Sequence, residues 1–136
     1  IGAADHALAG VDQVPPDRLA GLEVLTLDAR YQLHDQVAAL CDVYGARLSA
    51  DYEGASLDAL RLMTGMNAGV AFVPELYARS EVRAGGDVAV RPIRGRSLHR
   101  RIGLAWRRSF RDPEALRLLA DICRAAFARL SRKPPR

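Results

Sequence analysis

Between Tyr52 and Pro74 the chain reads YEGASLDALRLMTGMNAGVAFVP, and its apolar positions change period partway. Leu57, Leu60 and Met63 recur every three residues, which marks one face of a helix. Ser56 stands just before them, where a side-chain oxygen caps the first free N–H groups. Gly65 and Gly69 flank the expected C-terminal end. Val70 to Val73 is then unbroken apolar sequence, and such a short run predicts a strand covered on both faces.

An earlier stretch has the same grammar. Val24 to Leu27 reads as a strand and Asp28 to Tyr31 as a turn. Leu33, Val37, Leu40, Cys41 and Tyr44 then step as an amphipathic helix that Gly45 closes. Arg47 to Tyr52 is expected as the next strand. Ile1 to Ala4 reads as a short strand and Leu8 to Val14 as loop. Pro15-Pro16 opens one helical turn that Gly21 ends. Pro74 to Val82 reads as a short helix or irregular segment, and Gly85-Gly86 as a turn. Val88, Val90 and Pro92 suggest an edge strand, since proline withholds a ladder donor. Arg94 to Arg101 is a basic connector, and Ile102 to Trp106 is expected as another strand. Pro113 opens a last helix with the stripe Leu116, Leu119, Ala120, Cys123, Ala126, Phe127 and Leu130.

The order β-α-β-α-β predicts an α/β fold, Rossmann-like, with a mainly parallel sheet flanked by helices. In such sheets ligands sit beyond the carboxyl ends of strands, against helix N-termini. Two mouths qualify. Tyr31, Gln32 and His34 stand at one, where Tyr and Gln both donate and accept hydrogen bonds, which suits binding better than turnover. Ser56 stands at the other. Asp28 is expected to cap the first helix and Asp35 to favour its dipole.

Composition narrows the chemistry. With 136 residues, 49% hydrophobic and 26% charged, the chain has the size and balance of one globular domain. No apolar run is long enough to span a bilayer. The start at Ile1, without Met and without a charged-then-apolar leader, leads to the expectation of a trimmed chain without an export signal. Cys41 and Cys123 both fall on apolar helix stripes, as buried thiols in a reducing compartment would. His6, His34 and His99 are scattered and no Cys or His pairs have ligand spacing, so no metal and no cofactor are expected. A nucleophile elbow is lacking, and so is a phosphate-cradling loop with a Lys. Charge is divided. Up to Ala78 four basic residues face eleven acidic ones, a net of −7. From Arg79 onward sixteen face five, a net of +11. The basic half reads as a solvated surface or a contact face for another subunit or subdomain.

Three stretches carry a family resemblance: Leu25 to Cys41 (LTLDARYQLHDQVAALC), Gly54 to Met63 followed by Ala68 to Pro74, and Arg101 to Arg107 (RIGLAWR) with the last helix. Together they resemble the effector-binding domain of LysR-type transcriptional regulators over nearly the whole chain. The His34-Asp35-Gln36 segment with Cys41 is most similar to the peroxide-sensing OxyR-type branch. The resemblance implies that the branch's reactive cysteine position is held here by Gln32, with Cys41 in the partner position. A glutamine does not react with peroxide as a thiolate does.

The resemblance implies a periplasmic-binding-protein-type subdomain and no enzyme. Residues 1–130 would be an effector-binding fragment: the second subdomain over about 5–92, then a crossover strand and terminal helix over about 100–130. A flexible tail would cover 131–136. The DNA-binding winged helix-turn-helix and a first effector subdomain are absent from this chain. The effector side is expected at Tyr31, Gln32, Leu33 and Ser56, with Phe72 and Arg107 as further candidates. The partners implied are a small-molecule effector, a carboxylate or other anion, together with DNA reached through the missing domain and a homo-oligomer, without a membrane, in the cytoplasm. The competing expectation is a periplasmic-type solute-binding domain, which shares the two-lobed logic.

Overall fold

The structure, a computed structural model, describes residues 1–95 and 102–132. It divides into two compact units, Ile1–Ser97 and Leu98–Arg136.

The first unit is built on a parallel sheet of β2 (Glu23–Leu27), β3 (Arg47–Gly54) and β4 (Val70–Ala71), in the spatial order β3-β2-β4. A short antiparallel pair, β1 (Gly2–Ala3) with β5 (Val88–Ala89), forms a second sheet. The helices are α1 (Gln32–Tyr44), α2 (Leu57–Gly65) and α3 (Glu75–Glu81), and Pro16–Leu19 makes one 3₁₀ turn. The proline-led turn therefore exists, and the 74–82 segment is mostly helical.

β2 explains the packing. Its side chains alternate between two faces, and both are covered. Val24 packs with Val37 and Cys41 of α1 and with Val70. Leu25 packs with Leu60 of α2 and with Ala71. Double coverage is why every residue from Val24 to Leu27 is buried, Thr26 included. A third cluster, Val14, Leu19 and Tyr44, extends the α1 side. β4 comes close enough to β2 because residue 69 is glycine: a Cβ there would stand 2.9 Å from the Glu23 carbonyl oxygen. Gly45 ends α1 in the left-handed region, φ 65°, and donates its N–H to the Cys41 carbonyl.

Some expectations fail in detail. The Val70–Val73 run is a ladder only over Val70–Ala71. The third strand continues past Tyr52 to Gly54, and between its two ends its register against β2 shifts.

The second unit contains α4 (Pro113–Arg132), which begins where expected. Asp112 Oδ1 accepts the N–H groups of Glu114 and Ala115 at 3.1 and 3.0 Å, an N-cap. Ile102 to Trp106 is not a strand. No neighbour offers it a ladder among the described residues, so apolar character alone does not make one. The connector at residues 96–101 and the tail at 133–136 lie outside the described residues. Among those described, no helix is long and apolar enough to cross a membrane.

Leu60 is wholly buried, whereas Leu62, two residues on, is half exposed. Leu60→Ala is expected to lower stability by about 2–5 kcal/mol, and Leu62→Ala by no more than about 0.5 kcal/mol. Urea melts followed by circular dichroism would measure both.

Candidate functional site

β2 and β3 are parallel neighbours, with Leu27 in register with Gly54 at their carboxyl ends. α1 follows one and α2 the other, so both helix N-termini open at the same edge of the sheet. Tyr31, the N-cap of α1, is extended and supplies no side-chain cap to the helix. Its hydroxyl instead donates across the edge to the Ala55 carbonyl at 3.3 Å. Ala55 precedes Ser56, so this one bond joins the two mouths. Ser56 caps α2 as expected: its Oγ accepts the Ala59 N–H at 3.2 Å.

The floor of the edge is tied by backbone. The Asp28 N–H donates to the Gly54 carbonyl at 3.0 Å, and the Tyr31 N–H donates to the Asp28 carbonyl at 3.0 Å. His34 Nδ1 lies 3.0 Å from the Leu27 carbonyl oxygen. A carbonyl only accepts, so Nδ1 carries the proton and the ring locks the first turn of α1 to the end of β2.

Asp28 does not cap α1. Its Oδ1 accepts from the Arg30 N–H and from Arg30 Nε, both at 2.9 Å, and Oδ2 accepts from Arg30 NH2 at 3.2 Å. These bonds from Arg30 hold the Asp28 carboxyl below the usual carboxylate range. The first turn of α1 is thus left without a side-chain acceptor from Tyr31 or from Asp28. An uncapped helix N-terminus favours an anion.

The remaining candidates fall in different places. Gln32 is exposed as the first residue of α1. Leu33 is half-buried and packs on the α1-side core. Phe72 is half-buried and stacks on Tyr44, with ring centroids 6.3 Å apart and planes inclined at 26°. Arg107 belongs to the second unit, where its carbonyl accepts the Phe110 N–H at 2.9 Å. Tyr31, Gln32 and Ser56 therefore share one edge.

Sequence reasoning missed Arg30 and Tyr77. An aspartate two residues before Arg30 was the available signal for the turn. Tyr77 of α3 donates to Asp58 Oδ1 in the first turn of α2 at 2.8 Å. Burial, and then that bond, push its hydroxyl up to about 12. Two buried hydroxyls near the strand ends, Thr26 Oγ1 and Tyr52 Oη, have no hydrogen-bond partner among the described residues. Tyr52 Oη crowds the end of β3, 3.0 Å from where a Cβ on Gly54 would stand. No cluster of His, Cys, Asp or Glu among the described residues could hold a metal ion.

The thiols differ. Cys41 is buried and Cys123 is exposed, so the expectation of two buried thiols fails for the second. Burial, with a smaller push from Asp42, raises the Cys41 thiol above its usual range.

Ser56→Ala is expected to cost about 0.5–2 kcal/mol, read from a denaturant midpoint. In a Cys123→Ser background, Cys41 is expected to resist alkylation until the chain unfolds. The folded chain keeps the Cys41 proton to higher pH than the unfolded chain does. This group therefore lowers stability as pH rises past the ordinary thiol value of about 8.5, which melts at pH 7 and pH 10 of Cys41→Ser against the parent would show.

Comparison with known proteins closes the case for the family. The LysR substrate binding domain family model matches residues 1–128. The hydrogen peroxide-inducible genes activator of Haemophilus influenzae is 36% identical over 76 residues, 56% of this chain and 25% of that protein. The DNA-binding transcriptional dual regulator OxyR of Escherichia coli K12 is 32% identical over 103 residues, 76% of this chain and 33% of that protein. The chain thus spans about a quarter to a third of the length of the curated relatives it matches. No solved structure matches. These relatives are transcriptional regulators, so the solute-binding alternative is not favoured. With its fold, its paired helix mouths and a profile match over nearly all its length, the chain belongs to the LysR substrate-binding domain family.

Proposed function

We propose that this domain senses a small organic anion, most simply a carboxylate, at the edge shared by Tyr31, Gln32 and Ser56. The observation that carries the reading is the uncapped first turn of α1 beside a capped α2, with Tyr31 bridging the two. In this reading the Gln32 amide and the first-turn N–H groups of α1 hold the anion. Leu33 and Phe72 are further candidates for contact with the effector, and Arg107 of the second unit is kept as a candidate by itself. The domain acts as a sensor and not as an enzyme, and no catalytic residue is assigned to it.

The peroxide response printed in the relatives' names is not extended to this chain. Two observations support that choice. Residue 32 is glutamine, and Cys41 is buried with its thiol raised away from the reactive thiolate.

An effector works here by binding one arrangement of two lobes better than another. The second lobe, the DNA-binding part and the partner copies of a homo-oligomer belong to the proposal. So does a cytoplasmic location. In this reading two lobes together bind the effector more tightly than one lobe alone.

A thermal-shift screen against small mono- and dicarboxylates tests the reading. A carboxylate present at about a hundred times its dissociation constant is expected to add about 2.7 kcal/mol of stability. Gln32→Ala is expected to abolish that gain while leaving the unliganded melting temperature in place. A conformational response to peroxide that Cys41→Ser removes would overturn the reading.

A further inference from the structure

The hydroxyl of Tyr52 has no part in the reading above, and the fold gives it no other role. The side chain packs on the α2 side of the sheet with Leu25, Leu60 and Ala71. Its ring lies against Gly54: a Cβ there would stand 3.0 Å from Oη and 3.2 Å from the ring edge. Oη is therefore set at the last residue of β3, two before the cap of α2. Ala55 lies between them, and its carbonyl is the one that Tyr31 bonds.

A phenol both donates and accepts. Burial raises the Tyr52 hydroxyl above its usual range, so it keeps its proton. Oη is out of water and has no partner among the described residues. A polar group held in that way costs the fold stability that phenylalanine at the same place would not. The rest of the side chain is half-buried, so the hydroxyl lies close under the surface.

Charge at the α2 mouth says what the hydroxyl would meet. Ser56 already caps this helix, and Asp58 stands in its first turn. Glu53, just before Gly54, is exposed. With the cap filled and two carboxylates beside it, this mouth disfavours a second negative charge. An effector held by one carboxylate at α1 therefore meets the α2 side with a neutral group.

We propose that Tyr52 is a specificity-determining residue of the effector edge, whose hydroxyl pairs with a neutral hydroxyl or carbonyl oxygen of the effector. The effector is then a hydroxy- or oxo-monocarboxylate. The proposal rests on the carboxylate reading and narrows it. A site built to bond such an oxygen rejects the analogue that lacks it. Thr26 Oγ1, also without a partner among the described residues, belongs to a side chain only 1% exposed, beyond an effector's reach.

Thermal-shift titrations of the 136-residue chain with butanoate, each of its monohydroxy and mono-oxo derivatives, and succinate test the proposal. At least one derivative is expected to stabilise the chain at about a tenth of the concentration that butanoate or succinate needs. Tyr52→Phe is expected to bring that derivative level with butanoate. Without any carboxylate, Tyr52→Phe and Thr26→Val are both expected to melt at or above the parent temperature, since neither hydroxyl has a bond to lose. Thr26→Val is expected to keep the parent's preference. A lower melting temperature for ligand-free Tyr52→Phe would reveal a bond within the fold and overturn the proposal. A preference that survives Tyr52→Phe, or a parent that ranks butanoate or succinate level with every derivative, would overturn it and leave the carboxylate reading standing. A parent that no carboxylate stabilises would overturn both.

Discussion

The first unit depends on one strand being buried on both faces. β2 gives Val24 to the α1 side and Leu25 to the α2 side, and each is essentially without solvent contact. A slip of one residue would exchange those faces and set Glu23, which begins the strand at the surface, at a core position. The constraint reaches the functional edge through short bonds. His34 ties α1 to the last residue of β2, and Asp28 ties the end of β2 to the end of β3. The mouths at Tyr31 and Ser56 are neighbours because β2 and β3 are parallel and end in register. No interaction between the two helices themselves is needed.

What could be read in advance follows from the range of the forces. Caps and stops are local, so Ser56, Gly45 and Pro113 mark the right places in the sequence itself. Double burial leaves a run of Val, Leu and β-branched Thr, so β2 was legible too. Pairing is not local. Ile102 to Trp106 is an apolar stretch with no ladder among the described residues, because apolar character reports what a segment could bury and not the presence of a neighbour. Asp28 is the same lesson at a smaller scale. Its carboxylate could have served the helix, but Arg30, two residues away, offers three donors and takes it. The candidate site was legible as two mouths. The bond from Tyr31 to Ala55 that joins them, between residues 24 apart in the chain, was not.

The two cysteines show how position along a stripe differs from burial. Cys41 and Cys123 each lie on an apolar helix face, and sequence treats them alike. α1 has a sheet against that face, and Cys41 disappears into it with Val24 and Val37. α4 has only an open cleft, and Cys123 stays accessible. Periodicity measures what a helix is prepared to bury, whereas burial depends on what arrives.

That distinction bears on the uneven charge of the chain. The acidic stretch up to Ala78 lies in the unit whose core packs on its own sheet. Leu98–Arg136 carries an excess of arginine together with bare leucine, isoleucine and phenylalanine. Arginine stems cover apolar surface while the guanidinium stays wet. Within α4 the charges are mixed along the axis, with Glu114 and Arg117 early, Asp121 and Arg124 paired at the middle and Arg129 beyond, so charge alone sets no direction for a neighbouring helix.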